Sequence, residues 1–182
     1  EPGFARAFRS EFEVLKLPAL RPQGTHLKLE GAMRPLAVND LAVQRHPGFR
    51  VANLAYGVSG EEVGSVRCDG LVATTPAGST GYNLANGGPV MAWGVHGYAI
   101  SFIAPHSLSA RSVVFAPNDS LTIKNLSTEE SVDVALDGRP AGVIEPGGRL
   151  SLEFVSDQTH LAQLPGSTFY HRLREKFSRL SA

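Results

Sequence analysis

The residues best suited to chemistry lie between Cys68 and Val90, in the run CDGLVATTPAGSTGYNLANGGPV. Asp69-Gly70 leads into a short apolar strand that Thr74-Thr75-Pro76 ends. A small-residue turn, Pro76-Ala77-Gly78-Ser79-Thr80-Gly81, then opens a short helix-like stretch closed by Gly87-Gly88-Pro89. That order gathers a carboxylate, hydroxyls, free backbone N–H groups and Tyr82 around one bend. Such a bend suits a polar ligand carrying phosphates or ribose hydroxyls. Taken alone, Asp69-Gly70 reads equally as a turn closing the preceding loop. As a ligand group, Asp69 accepts hydrogen bonds from an amine or hydroxyl, and Gly70 lets backbone approach closely. Asn39-Asp40, inside the apolar run Leu36 to Val43, also has two readings. An amide beside a carboxylate can read a base edge and two ribose hydroxyls; the alternative is a hairpin or bulge using turn residues.

Ala77-Gly78-Ser79-Thr80-Gly81 also fits a small-residue variant of the G-x-S-x-G nucleophile elbow, with Ser79 central. A serine hydrolase of that type needs strands alternating with helices around a parallel sheet, whereas this chain offers strands in hairpins. His96, His106, His160 and His171 follow Ser79, but none has a recognisable acid partner. His106 is expected to be structural, hydrogen-bonded to backbone. Tyr98, Trp93 and Phe102 read as packing residues rather than cofactor platforms.

These residues need a scaffold, and most segments read with the period-two alternation of strands. Phe12 and Val14 alternate with glutamates, then the phase slips to Leu15 and Leu17 around Lys16, which predicts a bulge. Further strands are expected at His26 to Glu30, Leu36 to Val43, Arg50 to Tyr56, Ala99 to Ala104, Ser120 to Lys124, Ser131 to Leu136 and Arg149 to Phe154. Asp137-Gly138 is a hairpin signal. Two helices are expected: a short one within Thr80 to Asn86, and one over Ser167 to Leu180. Ser167 or Thr168 caps the second, and Phe169, Leu173 and Phe177 line one face. Residues 1–10 read as a loose lead-in with Arg6 and Arg9 facing water. The fold class is mainly β, a two-sheet antiparallel sandwich in a single domain spanning residues 1–182.

Composition narrows the partners. Seventeen Lys+Arg balance seventeen Asp+Glu, so no global field draws nucleic acid or an anionic membrane. The single cysteine, Cys68, excludes an intrachain disulfide framework and a cysteine-based zinc site; a cytoplasmic setting fits. No apolar run approaches the ~18 residues of a membrane span. The chain opens on Glu1-Pro2-Gly3-Phe4 rather than Met, so its gene is expected to start upstream.

The run Asp69-Gly70-Leu71 followed by Thr75-Pro76-Ala77-Gly78-Ser79-Thr80-Gly81-Tyr82 resembles the hallmark of the NAD kinases. Ala77 and Gly81 stand where the family has Thr and Ala; both are small, so the backbone path is expected to survive. Asn39-Asp40, the stretch Pro105-His106-Ser107-Leu108-Ser109-Ala110-Arg111, Asp137-Gly138 and the terminal Phe169-Tyr170-His171-Arg172-Leu173 also fit the family. The resemblance spans roughly residues 12–178 and implies the C-terminal domain, which binds the dinucleotide and assembles the enzyme. It implies phosphorylation of the 2′-hydroxyl of NAD's adenosine ribose, giving NADP, with ATP or polyphosphate as donor and Mg²⁺ accompanying ATP. Asn39 and Asp40 would hold the adenosine ribose and neighbouring groups. Thr80, Gly81 and Tyr82 would contact the adenosine and phosphates, with Asn83 and Ala85 close by. Asp69 and Arg67 would reach a dinucleotide in a site shared between subunits of a homodimer or homotetramer. Arg139 falls at another contact position, and Asn53 is a further candidate. The family's catalytic base belongs to an N-terminal Gly-Gly-Asp-Gly motif that does not occur in this sequence. The chain alone is therefore expected to bind NAD without phosphorylating it. The alternatives are a nucleotide-binding or oligomerisation module without chemistry, and the Ser79 hydrolase.

Overall fold

A computed structural model describes residues 2–24 and 35–178. Among the described residues, eleven strands form two sheets with antiparallel pairing throughout. The first sheet contains β1 (Glu13–Gln23), β3 (Ala52–Val58), β4 (Glu61–Cys68), β8 (Leu121–Asn125) and β11 (Arg149–Gln163), in the order β1-β11-β8-β3-β4. The second contains β2 (Asp40–Arg45), β5 (Gly70–Thr74), β6 (Tyr98–Ile103), β7 (Val113–Phe115), β9 (Val132–Leu136) and β10 (Arg139–Ile144), in the order β10-β9-β2-β5-β6-β7. The expected sandwich is thus the observed one. The segment expected as a strand at His26 to Glu30 lies outside the described residues.

Alternation explains the core. Leu41 and Val43 of β2, Leu71 and Ala73 of β5, and Ile100 and Phe102 of β6 point between the sheets. There they meet Leu54, Ile123, Leu150 and Leu152 from the opposite sheet. Each such fully buried aliphatic side chain contributes roughly 1.5–3 kcal/mol over leaving it exposed. Tyr98 is buried too, packs against Phe115 and Phe154, and donates its hydroxyl to the Asp119 carbonyl at 2.8 Å. Strand β5 is buried along its whole length. One face belongs to the core, and the turn that follows the strand folds back towards the other.

Three details differ from the sequence reading. The lead-in is not loose: α1 spans Pro2–Phe8, and Arg6 and Arg9 both reach Glu11, at 3.2 and 2.8 Å. The bulge lies past Lys16 and on the partner strand, because Leu17 pairs with Thr159 while Ala19 pairs with Val155. The extra residues surround Asp157, at φ 56°. Finally, β11 continues well beyond Phe154, and its second half pairs with the start of β1.

The C-terminal helix agrees with expectation. α3 (the helix Phe169–Ser178) starts behind Thr168, whose hydroxyl accepts the His171 N–H at 3.2 Å, an N-cap. Phe169 packs edge-on against Trp93 at 5.8 Å, and the Arg172 guanidinium lies 5.3 Å from the same indole.

Candidate functional site

The site is built where β2 begins and β5 ends. Asp40 and Thr74 are register partners, so Asn39 and Thr75 meet just beyond the ladder. Thr75 donates its N–H to the Asn39 carbonyl at 2.9 Å and its hydroxyl to Val38 at 2.6 Å. The Thr74 hydroxyl adds 3.2 Å to Asn39. Both threonines are buried, so they tie one loop to the other rather than face a ligand.

Gly78 then lies flat on the Asn39 backbone. A Cβ there would overlap the Asn39 carbonyl oxygen and carbon. Residues Gly78–Thr80 make one 3-10 turn, Gly81 breaks it, and α2 (Tyr82–Ala85) follows. The expected short helix is therefore present, split at Gly81. A Cβ at Gly81 would come within 3.2 Å of the Gly78 carbonyl.

A third segment holds the arrangement. Asp137 and Gly138 form the two-residue β9–β10 turn, with φ 48° and 74°, as the hairpin signal required. The Asp137 carboxylate accepts three backbone N–H groups: Val38 at 2.9 Å, Asn39 at 2.7 Å and Asp40 at 3.1 Å. Its own N–H returns to the Asp40 carbonyl at 2.9 Å.

The groups left open are Asn39, Gly81, Tyr82 and Ala85, all exposed, with Asp40 and Thr80 half-buried. Gln44 donates to the Tyr82 hydroxyl at 2.5 Å. Burial, then the charges of Asp40 and Asp69, push the Tyr82 phenol up. Those two carboxylates therefore share its neighbourhood. Asp69 is where the chain passes from one sheet to the other, which corrects the reading of Asp69-Gly70 as a loop-closing turn. Its N–H bonds to Ile103 and its carbonyl accepts from Arg45. Its carboxylate takes Arg45 Nε at 2.6 Å and Nη2 at 3.3 Å. This forked contact holds the Asp69 carboxyl below the usual range, with a smaller pull from His106. The His106 side chain is exposed and, among the described residues, its ring makes no hydrogen bond to backbone, contrary to expectation; its backbone N–H donates to the Arg67 carbonyl at 2.7 Å.

Asp40 behaves oppositely. Burial, then the like charge of Asp137, raise its pKa. Among the described residues its carboxylate takes no hydrogen bond. A carboxyl whose folded pKa exceeds its ordinary value of about 3.9 favours folding when protonated and loses that advantage as pH rises through the folded pKa. Asp40→Asn is therefore expected to melt about 1–4 °C higher than wild type at pH 7. The gap should close below about pH 4. Thermal melts at both pH values check this.

Other expected site residues fall elsewhere. Asn83 is fully buried; its amide donates to Ser79 at 3.0 Å and to Pro89 at 2.9 Å, bracing the loop from inside. Asn53 and Arg67 pair across β3 and β4, in the other sheet. Asn53 lines a separate cavity of about 170 Å³ with Arg50, Ser127 and Glu129. Arg139 is exposed just after the Asp137-Gly138 turn. Among the described residues no cluster of three His, Cys, Asp or Glu side chains could hold a metal ion. No described helix is long and apolar enough to cross a membrane. Gln44, Arg45 and Lys176 belong to the site's surroundings without having been singled out from the sequence, and Asp137, there a hairpin signal and a family match, is also the acceptor that holds Val38 to Asp40.

Ser79 is not a nucleophile. It is fully buried, lies 2.8 and 3.1 Å from the Pro76 and Met91 carbonyls, and accepts the Met91 N–H at 2.9 Å. Ser79→Ala is expected to lose about 1–3 kcal/mol of stability. A fluorophosphonate probe should leave Ser79 unlabelled; labelling seen by mass spectrometry would contradict its burial.

Residues 38–164 match the family described as the ATP-NAD kinase C-terminal domain. This chain belongs to the NAD kinase family. A NAD kinase of Lachnoclostridium phytofermentans is 34% identical over 145 residues, 78% of this chain and 51% of the relative. One of Rhodopirellula baltica is 33% identical over 141 residues, 78% of this chain and 45% of the relative. The chain thus spans about half the length of these NAD kinases. The fold has the same affiliation. The crystal structure of yeast NADH kinase complexed with NADH superposes with a TM-score of 0.81 at 23% identity, covering 100% of this chain and 53% of that one. A NAD kinase from Archaeoglobus fulgidus in complex with ATP gives 0.74 at 23% identity, covering 99% and 65%.

Proposed function

We propose that this chain supplies the dinucleotide-binding face of a NAD kinase. One observation carries the reading: Asn39-Asp40 and Thr80-Gly81-Tyr82, forty residues apart, are brought to one open edge by the Gly78–Asn39 contact and the Asp137 carboxylate. The half-buried Asp40 carboxylate, which takes no hydrogen bond among the described residues, suits the paired hydroxyls of a ribose. Asn39 and the exposed backbone at Gly81 and Tyr82 suit an adenine edge and phosphate oxygens. Asp69, oriented by Arg45, and Arg67 would serve the same dinucleotide or that of a second subunit. Exposed Leu108 and Val114, beside the β7 sheet edge, favour such a homo-oligomer.

In the complete enzyme the ribose 2′-hydroxyl would take a phosphoryl group from ATP or polyphosphate. A hydroxyl nucleophile needs a positioned proton acceptor, and the family's acceptor belongs to the Gly-Gly-Asp-Gly motif that this sequence lacks. This chain's residues would bind and orient NAD; Mg²⁺ would enter with ATP, neutralising phosphate charge.

Calorimetric titration with NAD tests the binding. An assay for NADP, run on this chain and on a longer chain carrying it behind the upstream half of the relatives, tests the chemistry. NAD binding by the short chain with NADP formed only by the longer one is the expected result. Binding with no NADP from either, polyphosphate included, would favour a nucleotide-binding module without chemistry. No binding at all would overturn the proposal.

A further inference from the structure

The C-terminal helix reaches the binding turn. Lys176 Nζ donates to the Thr80 carbonyl at 2.7 Å, across 96 residues of sequence. The helix is also anchored through Trp93, by Phe169 on one ring edge and Arg172 over the indole, with Thr168 capping its start. Those contacts hold α3 to the loop behind the signature turn. They do not themselves hold the turn.

We propose that Lys176 is a positioning residue for the dinucleotide site, tethering the Thr80 carbonyl so that the turn carrying Gly81 and Tyr82 keeps its binding geometry. This rests on the dinucleotide reading of that edge. The Thr80 carbonyl and the Gly81 N–H belong to one planar peptide unit. The N–H end of that unit bonds to the Gly78 carbonyl at 2.8 Å. Lys176 secures the opposite end, so the peptide is fixed from both sides. Without the ammonium, the carbonyl end is free to rotate, and Gly81, lacking a side chain, offers little resistance. The residue at stake is the hinge between the 3-10 turn and Tyr82. An ammonium on a carbonyl is a charge-assisted bond, stronger than a neutral pair.

Trp93, the only tryptophan of the chain, sits between α3 and its loop and so reports helix docking separately from ligand binding. The experiment compares wild type, Lys176→Met and Lys176→Arg by NAD calorimetry, Trp93 emission and hydrogen exchange at residues 80–83. Lys176→Met is expected to weaken NAD binding about five- to tenfold. It should speed exchange at 80–83 and leave Trp93 emission unchanged, and Lys176→Arg should restore affinity. Wild-type affinity with wild-type exchange in Lys176→Met overturns the proposal. So does a Trp93 shift that accompanies the affinity loss and that Arg does not repair, since Lys176 would then serve only helix docking. If the wild-type chain binds no NAD, the dinucleotide reading fails, while exchange at 80–83 still decides whether Lys176 holds the turn.

Discussion

Gly78→Ala is expected to lower the melting temperature by roughly 6–12 °C and to weaken NAD binding at least about tenfold. The added Cβ would overlap the Asn39 carbonyl oxygen, its carbon and its Cα. All three are backbone atoms fixed by Thr75, Thr74 and Asp137. No side chain can rotate away, so the loops must separate. Overpacking typically costs about 1–3 kcal/mol, and a rigid neighbour puts this site at the upper end. Separation also breaks the hydrogen bond from Thr75 N–H and moves Asn39-Asp40 away from Gly81-Tyr82. The binding loss is therefore expected at 25 °C, where the variant is still folded. Gly94→Ala is the control, because a Cβ there meets nothing within 4 Å. A Gly78→Ala variant that melts and binds like Gly94→Ala would show that the two loops are not in contact.

What was legible in the sequence was local. Asp137-Gly138 forms a two-residue hairpin turn because both positions need φ > 0, which Asp tolerates and Gly favours. Thr168 caps α3 because its hydroxyl is one turn from a free N–H. Strands β2, β5 and β6 were readable from short apolar runs, and β8 and β9 from period-two alternation. β4 was not, since Glu61-Glu62-Val63-Gly64 is an exposed sheet edge whose strand character comes from pairing with β3. The site divides in the same way. The signature pointed to one turn, but not to which of its polar groups face outward. Thr74, Thr75, Ser79 and Asn83 are polar and buried, each bonded to nearby backbone. Nothing in their spacing distinguishes them from Tyr82 or Asp40. Arg45 on Asp69 and Lys176 on Thr80 join positions 24 and 96 residues apart. Such contacts follow from how the strands are ordered and how α3 docks, which no local pattern encodes.

Asp137 carries the other large expectation, and its role is to fix a loop it does not belong to. Asp137→Ala is expected to lose about 2–3 kcal/mol, or roughly 4–12 °C. The substitution removes a charged acceptor from three N–H groups and places alanine at φ 48°, in the left-handed region. Asp137→Asn separates these effects. Asparagine tolerates the left-handed backbone, and its amide oxygen can still accept from Asn39 and Asp40. Its NH₂ would then face the Val38 N–H, donor against donor. The Asn variant should therefore fall between wild type and Ala in stability. It should also remove the like charge that helps raise the Asp40 pKa, moving that carboxyl back towards its ordinary range. The two variants then differ in a way that stability alone does not dictate. In Asp137→Ala the Asn39-Asp40 bend loses its support, and NAD affinity is expected to fall by about tenfold or more. In Asp137→Asn most of the bend survives, Asp40 ionises at lower pH, and NAD affinity is expected to hold to lower pH than in wild type. Thermal melts with NAD titrations from pH 4 to 8 read both effects. Equal affinity in all three proteins across that range would mean that Asp137 stabilises the hairpin without shaping the ligand site.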